Sequence, residues 1–138
     1  MIAVWRNLAA WLAASVLFGA GAAQAQTRVA LVIGNSGYHS AASLPNPVRD
    51  AQAIADLFRN AGFDVVHARN DLGNLELRRA VREFAEVALR AEIAVIFFAG
   101  HGFEFRGENY LLPVDAKLAT DQDVEDEAVP LDRLIRAI

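Results

Sequence analysis

The 138 residues are 54% hydrophobic and 22% charged, which provides enough apolar material for one compact domain and too little length for two. The formal net charge of −4 and the lack of any lysine and arginine run argue against a nucleic-acid partner, because phosphate recognition rests on clustered basic side chains. Cysteine is absent, so the sequence contains neither disulfides nor thiolate metal ligands.

The first 25 residues predict a cleaved export signal. Residues 1–6 carry one arginine, residues 8–20 are mostly apolar, and Ala23-Gln24-Ala25 has the small-x-small pattern that signal peptidases recognise. The apolar stretch is shorter than the roughly 20 residues of a membrane span, and an uncleaved anchor is the alternative. We therefore expect an exported protein, periplasmic or secreted, with no membrane span after cleavage. Its mature part has 12 basic and 17 acidic side chains, a net charge of −5.

The mature chain opens with the pattern of a strand, a helix and a second strand. The β-branched run Arg28–Gly34 predicts a buried strand that is followed by a glycine-rich turn. Asn46 and Pro47 suit the start of a helix, and apolar residues at three- and four-residue steps then continue to a stop at 60–62. A second strand is predicted over 63–68.

The same alternation then repeats. After turn residues 70–74, apolar positions from Leu77 to Ala88 recur at helical spacing, with charged residues on the opposite side. The wholly apolar run Ile93–Ala99 predicts a third buried strand. Two consecutive βαβ units imply an α/β domain whose mostly parallel sheet is flanked by helices.

His101 is the main candidate for chemistry. It lies between Gly100 and Gly102, just beyond the third strand, and open α/β sheets bind ligands at the carboxyl ends of their strands. A catalytic imidazole needs a rigid support with little bulk beside it, which a strand end between glycines provides. The simpler interpretation is a histidine in a turn that only ends the strand.

The rest of the chain predicts smaller elements. Residues 103–105 and 109–114 flank Arg106-Gly107-Glu108 in the manner of a hairpin that projects from the sheet edge. The acidic run 121–127 is interpreted as a solvated loop or a cation site. A last amphipathic helix is predicted from near Leu131 to the end of the sequence.

Five segments in this order carry a family resemblance, namely residues 28–35, 44–51, 61–65, 98–102 and 109–115. They resemble the caspase-like cysteine peptidases, and among these the chain is most similar to bacterial metacaspase and paracaspase-like members. We therefore interpret residues 26–138 as a caspase-like peptidase domain. The resemblance implies a caspase-hemoglobinase sheet and the hydrolysis of peptide bonds by a cysteine–histidine dyad.

The resemblance also implies roles for two residues. His101 stands at the position of the family's catalytic histidine, and the backbone N–H of Gly102 helps to bind the oxyanion. Glycine at this position lets a backbone donor approach the developing charge closely. The implied partner is a peptide or protein substrate, with arginine or lysine before the cleaved bond.

The nucleophile of the family is missing from this sequence. Caspase cysteines follow the histidine by about 50 residues, which places the thiol near position ~150. We therefore expect the domain to be C-terminally incomplete, cut before the nucleophile strand, and inactive as written, and a further C-terminal domain is left open. A non-catalytic caspase-like module that binds peptides or partners is the alternative.

No cofactor is expected, with calcium as the alternative. Many metacaspases are calcium-activated through acidic residues downstream of the histidine, and Asp115 and Asp132 are the positions to compare with those ligands. The glycine-rich acidic pattern typical of such sites is absent. His39 is interpreted as a solvated loop residue, and Tyr38 is expected to pack over the first loop.

Overall fold

The computed structural model describes residues 27–138, so the predicted export signal lies outside the described residues. Six strands and four helices follow one another in this part of the chain. They are β1 (Arg28–Gly34), α1 (Pro47–Asn60), β2 (Val65–Asn70), α2 (Asn74–Ala88), β3 (Ile93–Ala99), β4 (Gly102–Phe105), β5 (Glu108–Leu111), α3 (Asp123–Glu127), β6 (Val129–Pro130) and α4 (Leu131–Ile135).

Three strands form the parallel sheet that the sequence predicts. β1 lies between β2 and β3 and pairs in parallel with both. At the carboxyl edge, Gly34 is in register with Asn70 of β2 and with Ala99 of β3. This arrangement confirms the α/β class, and it places the loops that follow the three strands side by side.

β1 contributes to two cores, one on each face of the sheet. Alternate side chains from Val29 to Ile33 pack with α2, whose Phe84 is fully buried. The side chains of Ala30 and Val32 point the other way and pack with α1 around Ala51. Because successive side chains of a strand face opposite sides, this one strand supports both helical layers.

The second strand begins at Val65, two residues later than the sequence predicts. Phe63 leaves the path of the strand because its ring packs on Phe58 of α1, with centroids 4.6 Å apart. The carboxylate of Asp64 accepts the N–H of Arg28 at 2.8 Å, and the N–H of Asp64 donates to the Arg28 carbonyl at 2.9 Å. These contacts anchor the turn after α1, so regular pairing starts only beyond them.

The predicted hairpin is present, but it belongs to a second sheet. β4 and β5 pair antiparallel around Arg106 and Gly107, whose φ values of 52° and 84° are both positive, as a two-residue type I′ turn requires. β5 also pairs with β6, the short strand Val129–Pro130, which the sequence does not predict. The expectation of a hairpin projecting from the first sheet was therefore wrong. Two residues of β6 are too few for a periodic signal.

The acidic run contains a short helix, although the sequence predicts a loop. α3 covers Asp123–Glu127, and the Asp123 carboxylate accepts the N–H groups of Thr120 at 2.6 Å and Ala119 at 2.9 Å. These hydrogen bonds, those from Thr120 above all, stabilise the ionised form and lower the pKa of Asp123. The carboxylate of Asp123 therefore serves to close the turn before the helix.

The last helix begins at Leu131, as predicted, but its regular part ends at Ile135. The N–H groups of Ala137 and Ile138 then donate to carbonyls three residues back, at 3.1 and 3.4 Å, which tightens the final turn. Within residues 27–138, no helix has the length and apolar character needed to cross a membrane.

Candidate active site

His101 lies at the junction of the two sheets, at the carboxyl edge where the sequence predicts it. It comes two residues after β3 and directly before β4. Its backbone N–H donates to the hydroxyl oxygen of Tyr38 at 2.7 Å, and its carbonyl accepts the N–H of Leu112 at 3.0 Å. The main chain of the histidine is therefore held from both sides.

The imidazole of His101 has a fixed orientation. Its Nε2 lies 2.7 Å from the carbonyl oxygen of Ala42, in the loop between β1 and α1. A carbonyl oxygen only accepts hydrogen bonds, so Nε2 carries the proton in this contact and the neutral ring keeps its lone pair on Nδ1. The ring of Tyr38 packs against the imidazole, with centroids 4.6 Å apart and an interplanar angle of 53°. The imidazole is therefore fixed in orientation, and its Nδ1 can act as a base.

Gly100 makes the approach of Tyr38 possible. A Cβ atom at position 100 would lie 2.5 Å from the Tyr38 hydroxyl oxygen and 2.8 Å from the Phe98 ring, which is closer than packing allows. At Gly102 the nearest atom is the carbonyl oxygen of Tyr110, at 3.3 Å. A side chain at position 100 would therefore displace the Tyr38 hydroxyl and the Phe98 ring, whereas position 102 has more room.

The N–H of Gly102 points away from β5. Pairs along an antiparallel ladder alternate between hydrogen-bonded and non-hydrogen-bonded positions. The bond from the Leu112 N–H to the His101 carbonyl marks a hydrogen-bonded pair, so the next pair, Gly102 with Leu111, is non-hydrogen-bonded. Since β4 is the edge strand of its sheet, the Gly102 N–H faces the open edge.

The peptidase C14 model described as "Caspase domain" matches residues 27–133 of this chain. The chain belongs to the caspase domain family. Human mucosa-associated lymphoid tissue lymphoma translocation protein 1 is 37% identical over 92 residues, and its mouse homologue is 36% identical over 92 residues. Each alignment covers 67% of this chain and 11% of the relative, so the chain spans about a ninth of those proteins. The family resemblance that the five sequence segments indicate is confirmed.

Asn35 holds the loops of the caspase domain's carboxyl edge together. It directly follows β1 and is fully buried. Its side-chain oxygen accepts the N–H of Leu72 at 2.9 Å, and its amide nitrogen lies 3.2 Å from the Leu72 carbonyl and 3.5 Å from the Leu112 carbonyl. Its backbone N–H donates to the Ala99 carbonyl at 2.8 Å. Sequence reasoning missed this role, because an asparagine between glycine and serine is also typical of an ordinary turn.

Asp71 fixes the loop that carries Tyr38. Its carboxylate accepts the N–H groups of Ser36 at 2.7 Å and Gly37 at 2.8 Å. Its own backbone has a φ of 51°, in the left-handed region that aspartate adopts more readily than most residues. The sequence indicates a turn at this position but gives no signal that its carboxylate binds another loop.

The two candidate calcium ligands each have a structural partner. Asp115 accepts the N–H of Asn74 at 2.8 Å, at the start of α2, and a Cβ atom at Gly73 would lie 2.5 Å from its carboxylate. Asp132 forms an exposed ion pair with Arg136 at 3.6 Å. In residues 27–138, no group of three or more acidic or histidine side chains is placed to hold a metal ion. Calcium binding stays the alternative to the prediction of no cofactor.

His39 is an exposed loop residue whose backbone N–H donates to the Val114 carbonyl at 2.8 Å. This position agrees with its interpretation as a loop histidine. Tyr38 does more than the sequence predicts, because it contacts both the backbone and the ring of His101.

We expect Asn35→Ala to destabilise the domain strongly. The change removes every side-chain hydrogen bond of Asn35 and leaves one N–H and two carbonyl groups of other loops without that partner. The free energy of unfolding should fall by about 2–4 kcal/mol, whereas Asn60→Ala at the exposed end of α1 should change it by less than about 0.5 kcal/mol. Urea unfolding followed by circular dichroism measures both, and equal losses would contradict the assigned role.

Tyr38 should make the free energy of unfolding depend on pH in the alkaline range. Burial raises its pKa, the N–H of His101 opposes the shift, and the charge of Asp71 adds to it. The folded state therefore holds this proton more tightly than the unfolded chain. The associated stability is fully present below about pH 10 and is lost as the pH rises through the folded pKa.

The measurement is the thermal unfolding midpoint at increasing pH for the wild type and Tyr38→Phe. The variant should be less stable at neutral pH, because the N–H of His101 loses its acceptor, but its midpoint should fall less steeply above about pH 10. Parallel curves for the two proteins would rule out the contribution of Tyr38.

Proposed function

We propose that residues 27–138 are the histidine-bearing part of a caspase-like cysteine endopeptidase. In this proposal His101 exchanges protons with a cysteine thiol that the 138 residues do not contain, and the chain alone is inactive. The observation that supports the proposal most directly is the fixed orientation of the His101 imidazole. Its Nε2 is bonded to the Ala42 carbonyl at 2.7 Å, which leaves Nδ1 to act as the base.

The chemistry follows from these positions. Nδ1 of His101 takes the thiol proton while sulfur attacks the scissile carbonyl carbon, and the carbonyl electron pair moves onto oxygen. The N–H of Gly102 donates to this oxyanion. The imidazolium returns the proton to the leaving amine as the C–N bond breaks and a thioester remains. Water, deprotonated at Nδ1, then hydrolyses the thioester, and the proton returns to the sulfur.

The open edge of β3 supports the proposal that the thiol comes from a strand paired next to it. β3 is entirely apolar, yet within residues 27–138 it pairs only with β1, and its residues are exposed or partly buried. An apolar cavity of about 320 Å³ lies beside it, lined by Ile96, Phe98 and residues of α4. A parallel strand paired here would end at the edge where His101 lies, which suits a nucleophile.

A non-catalytic caspase-like module that binds peptides or partners is the second candidate. The absence of cysteine from the sequence favours it, because His101 then has no thiol to deprotonate. In that case the carboxyl edge of the sheet binds a peptide and does not cleave it.

The preferred substrate forms part of the first proposal. The resemblance to metacaspase and paracaspase-like peptidases favours arginine or lysine before the cleaved bond. Calcium activation through Asp115 and Asp132 is a separate hypothesis, and the partners of both carboxylates are already within the protein.

The full-length protein encoded by the gene should cleave fluorogenic peptides, and iodoacetamide should inactivate it by alkylating the thiol. A peptide panel with arginine, lysine, aspartate or leucine before the reporter measures the preference. His101→Gln should lower kcat/KM by at least about 10²-fold, the scale of general acid–base catalysis. The 138-residue chain alone should neither hydrolyse the panel nor react with iodoacetamide.

His67→Gln is the matched control, because His67 lies on β2 with its ring centroid 6.5 Å from that of Phe84. Its kcat/KM should equal that of the wild type. Retained activity in a folded His101→Gln protein would refute the assignment. Peptide binding without hydrolysis by the full-length protein would favour the non-catalytic module.

We also propose that the protein is exported and cleaved after residue 25. When the gene is expressed with its native start in a Gram-negative host, the mature protein should begin at Gln26. N-terminal sequencing of the periplasmic and medium fractions measures this. A protein that starts at Met1 and stays with the cell would contradict the proposal.

A further inference from the structure

A groove between α2 and α4 brings four arginines together. Two come from successive turns of α2 and two from the C-terminal part of the chain, in or just after α4. One cavity of about 280 Å³ is lined by Arg78, Arg82, Arg133 and Arg136, with Val81, Ala85 and Ala137 as its apolar surface. These are four of the 13 basic residues in a chain whose net charge is −4.

The positive charge in this groove is poorly balanced. Arg136 forms an exposed pair with Asp132 at 3.6 Å. Within residues 27–138, no carboxylate lies within 4.0 Å of the other three guanidinium groups. Residues 1–26 contain no aspartate or glutamate that could supply one. The four arginines therefore outnumber the acidic side chains beside them, which are Asp132 next to Arg136, Asp126 near Arg78 and Glu86 in the adjoining cavity.

Arg78 is held in place by neutral groups. It donates to the side-chain oxygen of Asn74 at 2.7 Å and to the carbonyl of Ala128 at 2.8 Å. Partial burial and the neighbouring charge of Arg133 lower its pKa, and Asp126 opposes the shift. An anion in the groove would relieve this crowding of like charges.

The groove continues into an apolar part. A second cavity of about 420 Å³ shares Arg82, Ala85, Arg136 and Ala137 with the first and adds Glu86, Ala88, Leu89 and Ile138. Leu89 is 87% exposed. From Arg78 to Leu89 the helix rises about 16 Å, which matches about five residues of extended peptide.

We infer that this groove binds a peptide segment in which acidic residues are adjacent to apolar ones. Guanidinium groups bind carboxylates through paired hydrogen bonds, and the exposed leucine end offers apolar contact. Glu86 repels carboxylates from that end, so the acidic residues lie toward Arg78 and the apolar residues toward Leu89. A small anion would contact only the arginine-lined half of the groove. A nucleic acid would place phosphates against Glu86 and the apolar surface.

The probe is the fluorescein-labelled peptide Gly-Glu-Asp-Glu-Gly-Leu-Gly-Leu, titrated with the intact chain and followed by fluorescence anisotropy. Binding should weaken as salt rises. The double change Arg82→Gln with Arg136→Gln should raise Kd at least about tenfold. Arg79→Gln with Arg69→Gln removes the same two charges at exposed positions outside both cavities and should leave Kd within about twofold.

Two further ligands decide the class of partner. The peptide with glutamine and asparagine in place of its acids, and the peptide with serine in place of leucine, should each bind at least about fivefold more weakly. Equal binding of all three peptides, or an unchanged Kd in the double variant, overturns the inference. Equal or tighter binding of a single-stranded RNA oligonucleotide also overturns it. Circular dichroism checks that the variants are folded, and the readout is independent of peptidase activity.

Discussion

The buried amide of Asn35 is the constraint on which the carboxyl edge depends. Within residues 27–138 it is the one amide or charged side chain among the buried residues, and its partners Leu72 and Leu112 lie just after β2 and β5. A buried amide is favourable only when its hydrogen bonds are made, so the loops after these strands must be in place together. The loop that begins at Asn35 also supplies Tyr38 and Ala42, the two contacts that orient His101.

Two side chains, Asp71 and Tyr38, hold that loop in place through hydrogen bonds. One of them is charged and the other is neutral. Asp71 accepts two N–H groups of the loop, and its negative charge helps to keep the neighbouring Tyr38 hydroxyl neutral. A neutral hydroxyl still accepts the N–H of His101 through its oxygen and can donate its own proton elsewhere. The backbone of the histidine is therefore supported by a neutral group, and the Asp71 carboxylate stabilises the loop by accepting the backbone N–H groups of Ser36 and Gly37.

The parallel sheet and its two long helices were predictable because their hydrophobic periods are long and uninterrupted. β6 and α3 were not, since elements of two and five residues are too short to show a period. The position of His101 followed from the end of an apolar run. Its partner, the Ala42 carbonyl, could not be predicted, because a backbone oxygen has no signature in the sequence. The arginine groove could not be predicted for a similar reason. Its two halves are far apart along the chain, and only the fold brings α2 and α4 together.

The contacts around Asn35 also set a limit on when this site can form during synthesis. The amide reaches a carbonyl 77 residues further along the chain, and the backbone of His101 is fixed in part by Leu112. A nascent chain that has released only its first strands and helices contains Tyr38 and Ala42 but lacks Leu112, which accepts from the Asn35 amide and donates to the His101 carbonyl. The ribosome must therefore deliver Leu112 before the backbone of His101 is held on both sides, so this edge of the sheet takes its final form only after β4 and β5 have been made.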